Sequence, residues 1–116
     1  MKRYIDGINP LIEKILELTN SKLMRWERTG NNVFRCVDVK DSLSLEISKG
    51  SGYGHANISI KLYSVSKLEF EYTPTFSQRF TEFDNLLTQL YDVVEEENIK
   101  KVTDDFSKFM NAFSKK

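Results

Sequence analysis

The sequence predicts an α+β domain: a two-layer fold with a five-strand antiparallel meander, one N-terminal helix and two C-terminal helices packed on one face of the sheet. Three observations predict it. Apolar residues recur at helical spacing near the N-terminus, alternate with polar residues through the middle of the chain, and return to a 3.6-residue period from Thr75 onward. Strands with one apolar face and helices with an apolar stripe bury both by stacking in two layers.

Asn9 is placed to cap the first helix, and Pro10 suits the first helical position, where its missing N–H would be unsatisfied in any case. Leu11, Ile15 and Leu18 follow helical spacing, as do Ile8, Ile12 and Ile15, while Glu13, Lys14 and Glu17 take the wet side. The helix is expected over Pro10–Lys22. Met24–Arg28 alternates as a first strand, Thr29–Asn32 turns, and Val33–Val39 is the second strand. Either Phe34 and Cys36 point inward from it, or Val33, Val37 and Val39 do; the first choice keeps Arg35 in water and is preferred.

Lys40–Ser42 turns again. Leu43, Leu45 and Ile47 then alternate with Ser44, Glu46 and Ser48. Ile58, Ile60 and Leu62 alternate with Asn57, Ser59 and Lys61, and Leu68, Phe70 and Tyr72 with Lys67, Glu69 and Glu71. Period two gives each strand one buried and one wet face, and short connections make the neighbours antiparallel. Beyond Thr75, Phe76, Phe80, Phe83, Leu87, Leu90, Tyr91 and Val94 form a long helical stripe. Glu95–Asn98 is polar throughout. Ile99, Val102, Phe106, Phe109, Met110 and Phe113 resume. Thr103, followed by Asp104 and Asp105, has the character of a fresh helix start. Two helices are therefore expected, about Thr75–Asn98 and Thr103–Ser114, with one continuous helix as the alternative.

Composition narrows the function classes. A chain of 116 residues has the size of one domain, here residues 1–116, and can bury a core without disulfides or metal. Lysine plus arginine and aspartate plus glutamate number 17 each, so no basic surplus exists for nucleic acid. No apolar run approaches the roughly 18 residues of a membrane span, and the N-terminus lacks an apolar signal core. The single cysteine, Cys36, leaves the fold to packing and fits a reducing cytoplasm. One cysteine and one histidine, His55, do not make a zinc site. Cys36 as a nucleophile would need His55 and an orienting group beside it; a small core residue is the simpler reading. Glu69/Glu71, Asp104/Asp105 and Glu95–Glu97 read as solvated acids rather than a catalytic pair. No catalytic residue, metal ligand or cofactor site is expected, and the chain does not read as an enzyme.

The stretch Ser48–His55, SKGSGYGH, holds three of the five glycines. A phosphate loop would lead into a helix and carry a lysine after the glycines; here a strand follows and Lys49 precedes them. Gly52-Tyr53-Gly54-His55 resembles the start of an RNA-recognition signature, but Ser51 stands where a base is wanted and Ile58 where a second aromatic is. A hairpin connection remains, long enough to be a contact loop. Lys49, Tyr53 and His55 are candidate partner or ligand contacts in it. The aromatic load is the other lead. Six of the eight phenylalanines fall from Phe76 onward. Those of the terminal helix either cap the sheet's core or make a subunit or partner interface, which makes Phe109 and Phe113 candidate contacts.

Leu11, Ile15 and Leu18-Thr19, then Leu23, Trp26-Glu27-Arg28-Thr29 and Asn32-Val33-Phe34-Arg35-Cys36, with Leu87, Leu90-Tyr91 and Val102-Thr103-Asp104-Asp105, resemble short uncharacterised proteins of low-GC bacteria and their mobile elements. The resemblance implies a helix, a small strand meander and two C-terminal helices, and no mechanism. Three functions are consistent with all this. The first is a small, non-enzymatic cytosolic interaction or regulatory protein that binds an unidentified protein or itself. The second is an immunity- or inhibitor-type protein that sequesters a partner. The third is a small-ligand or nucleotide binder using Trp26, Arg28, Tyr53 or His55.

Overall fold

The computed structural model describes residues 1–38, 40, 42–50, 57–75 and 79–114. Helix α1 (Lys2–Asn20) leads into strands β1 (Glu27–Gly30), β2 (Val33–Asp38), β3 (Leu43–Gly50), β4 (Asn57–Ser64) and β5 (Lys67–Tyr72), and helix α2 (Thr81–Ser114) closes the chain. The five strands form one sheet in chain order, every neighbour antiparallel. The meander is thus as expected; the helices differ.

α1 begins eight residues earlier than its cap signal suggests, and Pro10 lies inside it. Ile5, Ile12 and Thr19, seven apart, are its buried row. The turn before the proline carries Ile5 into the core and Tyr4 against Phe70 of β5, ring centroids 6.2 Å apart. Burying a residue such as Ile5 gains about 1.5–3 kcal/mol, which offsets a proline cost of about 3 kcal/mol. Asn9 is not a cap; its Oδ1 is buried without a hydrogen-bond partner. The helix stops at Asn20 because Lys22 adopts a left-handed φ of 65°. The Leu23 N–H then donates to the Leu18 carbonyl and the Lys22 N–H to that of Thr19, both at 3.0 Å, a Schellman closure. Trp26 consequently precedes β1 instead of sitting within it, and its Nε1 donates to Thr19 Oγ1 at 3.1 Å.

The core lies between one sheet face and both helices. Phe34, Ile47, Ile58, Ile60 and Tyr72 meet Ile5 and Ile12 of α1 and Phe83, Leu87, Leu90, Tyr91 and Val94 of α2. Edge-to-face pairs fix the docking of α2: Phe34 on Tyr91 at 5.6 Å and Tyr72 on Phe83 at 5.1 Å. The Tyr72 hydroxyl also donates to Asp84 Oδ1 at 2.5 Å, tying the first turn of α2 to the last residue of β5. As expected, Phe34 is buried, and Arg35 shares the outer face with Glu46.

That outer face carries a row of alternating charge across all five strands: Glu27, Arg35, Glu46, Lys61 and Glu71 stand opposite one another in register. Arg35 pairs with Glu46 at 3.0 Å and Lys61 with Glu71 at 3.6 Å. Opposite charges facing across strands favour this register over a one-residue slip. Leu68 departs from the expected alternation. A bulge between Leu62 and Tyr63 sets Phe70 opposite Leu62 but Leu68 opposite Tyr63, so Leu68 joins the outer face.

The two expected C-terminal helices are one. α2 runs unbroken for 34 residues, its first bond being Asp84 N–H to the Phe80 carbonyl at 2.8 Å. It starts at Thr81 rather than Thr75; Phe76 lies outside the described residues. Glu95–Asn98 is polar yet helix-forming, and Glu96/Lys100 and Glu97/Lys101 stand four apart in the order that supports a helix. Thr103 therefore remains helical and caps nothing.

Candidate interaction site

At 1.5 Å per residue α2 is about 51 Å long, and the molecule measures 60 × 38 × 24 Å. Its radius of gyration is 16.3 Å, against about 13 Å for a compact chain of this length. The difference is the distal half of the helix. Burial on α2 ends by Asn98, and every residue from Ile99 to Ser114 is exposed. We call this segment the arm.

The arm's chemistry follows from the phase of its residues. Phe83, Leu87, Leu90 and Val94 form the row that faces the sheet. At helical spacing that row continues through Glu97, Lys101, Asp105 and Lys108, all polar. These residues, with Lys22, Arg25 and Trp26 of the body, line an open cleft of about 480 Å³ beneath the arm. The apolar row, Ile99, Val102, Phe106, Phe109, Met110 and Phe113, is turned by about a third of the helix circumference and faces away from the body. Its six side chains are between 41% and 66% exposed. At roughly 200 Å² for a large side chain, they present on the order of 700 Å² of apolar surface, above the roughly 300–600 Å² of the largest patch on an ordinary monomer. Phe109 and Phe113, one turn apart, pack their rings at 4.8 Å.

Of the residues picked out by sequence, Phe109 and Phe113 belong to this surface, and the reading in which they cap the sheet's core is overturned by their exposure. Lys49 does not belong to it. It is the last residue but one of β3, where its backbone N–H donates to the Asn32 carbonyl at 3.0 Å and its Nζ lies 5.8 Å from the Tyr91 ring. Tyr91 precedes Phe109 by about 27 Å along the helix axis. Burial, then a hydrogen bond to Glu95, hold the Tyr91 hydroxyl up to about 12. Tyr53 and His55 lie outside the described residues; the strands on either side pair up to Gly50 and Asn57, so the stretch joins two antiparallel neighbours. Phe106 and Met110 stood with Phe109 and Phe113 in the choice between core and interface; sequence reasoning passed over Ile99 and Val102 as contacts. Comparing the phase of the two apolar rows along the helix would have found them.

Other chemistry has less to stand on. Burial pushes the Cys36 thiol up from its ordinary value, the opposite of an activated thiolate. No group of acidic, cysteine or histidine side chains able to hold a metal ion occurs among the described residues. Arg28 is engaged in the β1–β2 turn, donating to the Gly30 carbonyl and to Asn31 Oδ1, both at 3.2 Å. No helix among the described residues is long and apolar enough to cross a membrane. Compared with known proteins, the chain matches no family model, and neither a curated protein nor a solved structure is significantly similar to it.

Proposed function

We propose that this chain is a small, non-enzymatic interaction or regulatory protein, working in the cytoplasm, whose docking element is the arm of α2. One observation carries the reading: a single helix keeps its first half for the core and projects its second half, with an uncharged aromatic row turned away from the body. Its likeness to proteins of bacterial mobile elements makes an accessory protein of such an element the natural setting. Sequestration of a partner, as by an immunity protein, would use the same arm. The small-ligand reading has less support, since Ile12, Ile47, Leu87, Leu90 and Tyr91 close the layer between sheet and helices at 0–1% exposure.

Phe109→Asp tests the reading. Melting followed by Trp26 fluorescence in dilute solution, where association contributes nothing, should move by no more than about 2 °C, because exposed substitutions stay within about 0.5 kcal/mol. A fall of about 8 °C or more would mean that the arm stabilises the body, and would overturn the proposal.

A further inference from the structure

We infer that the arm's apolar row is covered by the same row of a second copy of this chain, lying antiparallel about a two-fold axis at Phe106. The inference rests on the reading of the arm as a docking element. Its spacing supports this. Ile99 and Phe113 stand seven residues either side of Phe106, and Val102 and Met110 four residues either side. Reversing the chain direction about Phe106 therefore sets Ile99 on Phe113 of the second copy, Val102 on its Met110 and Phe106 on its Phe106. Phe109 falls opposite Thr103, a smaller residue that leaves it room. A two-fold contact requires a surface complementary to itself, and this row has that property. The steps between Ile99, Val102, Phe106, Phe109 and Phe113 are three, four, three and four, the heptad spacing of helices that pack side by side.

Charge and area agree. Between Ile99 and Ser114, Asp105 is the only charged residue within a quarter turn of the row; Lys100, Lys101, Asp104 and Lys108 lie on the far side. Two such rows meet with little charge to desolvate, and antiparallel helices oppose their dipoles favourably. The apolar area, on the order of 700 Å² per chain, approaches the roughly 800 Å² per partner of a standard interface. Asn98, where burial on α2 ends, falls opposite Ser114, so the arms overlap along their exposed length without bringing the bodies together.

Sedimentation of the full chain up to about 0.5 mM should show 13.5 kDa monomers converting to a species of twice that mass. Phe106→Asp, at an exposed position, should keep the thermal melt in dilute solution and weaken pairing by roughly 100-fold or more, the loss typical of a central aromatic anchor. Direction is read separately. Nitroxides at Ser114, in a chain carrying Ser114→Cys and Cys36→Ser, should lie about 25 Å apart in the antiparallel pair, and about 10 Å apart in a parallel one. A wild-type monomer throughout, a mass other than twice the monomer, or the short distance overturns the inference. If it fails while Phe109→Asp leaves the melt unmoved, the docking reading stands and the occupant is another protein. If Phe109→Asp lowers the melt, both fall.

Discussion

Replacing Val65-Ser66 by Asn-Gly should make the protein more stable. The two residues form the whole loop between β4 and β5, since Ser64 and Lys67 are already paired. Both have positive φ, 49° at Val65 and 68° at Ser66. A two-residue hairpin loop with both φ positive has the type I′ pattern, for which Asn-Gly is the favoured sequence. A left-handed conformation costs a residue with a side chain roughly 1–2 kcal/mol, and a β-branched one most of all. Glycine at 66 removes that cost and returns about 0.5–1 kcal/mol as chain entropy; asparagine at 65 removes much of the rest. Val65 is 75% exposed, so little burial is lost. Its backbone N–H, which donates to the Ser42 carbonyl at 2.9 Å, is kept. The net gain is about 1–2 kcal/mol, or roughly 4–8 °C in Tm. Urea and thermal unfolding of the double variant, with an unchanged m-value, would confirm it. An unmoved or lowered midpoint would show that the loop is not strained as its dihedrals imply, or that Val65 contributes through its neighbour Tyr63 on the outer face.

Two further outcomes are expected. Gly7→Ala should stabilise α1 by about 0.8 kcal/mol, because a Cβ there meets nothing within 4 Å and glycine is a poor helix residue; a lower urea midpoint would contradict the helical assignment before Pro10. Alkaline pH should destabilise the fold through Tyr91: its folded pKa of about 12 exceeds its ordinary value of 10.0, so its contribution is complete below about pH 10 and is lost as pH rises toward 12. The difference in stability between wild type and Tyr91→Phe, followed by urea unfolding from about pH 9 to about pH 12, should shrink over that window, and parallel curves would refute the assignment.

The strands were the most legible part of the chain because their alternation reports burial directly. Ile47 and Ile60 alternate with Glu46 and Lys61, and they face each other in the core. Legibility failed where local signals competed with tertiary ones. Asn9-Pro10 is a sound helix start, but burial of Ile5 and the packing of Tyr4 on Phe70 together offset it, and nothing local to those two residues reports those contacts. The bulge beside Tyr63 reverses Leu68 without a glycine to mark it, and Val65-Ser66 turns without a turn sequence. The arm was half legible. Its apolar row stood in the sequence, and whether that row faced the core depended on its phase relative to Phe83–Val94, a comparison across 30 residues rather than within a window.

That phase difference also bears on how an exposed aromatic row is maintained. A segment of 16 exposed residues is by itself a marginal helix in water, because nucleation carries a factor of about 10⁻³, roughly 4 kcal/mol. Here the packed turns from Phe83 to Val94 supply the nucleus, and the arm only propagates it. A break at Thr103 would have forced a second nucleation, so continuity of α2 is what lets the arm exist before anything binds it. The polar row beneath then keeps it extended. Folding the arm back by a kink would press Glu97, Lys101, Asp105 and Lys108 onto the body while Phe106 and Phe109 stayed exposed, so collapse would desolvate charge and bury little. A preformed, outward-facing helix loses less conformational freedom on docking than a disordered tail would. If the arm docks as proposed, the polar residues that hold it outward contribute to that docking by preorganising it.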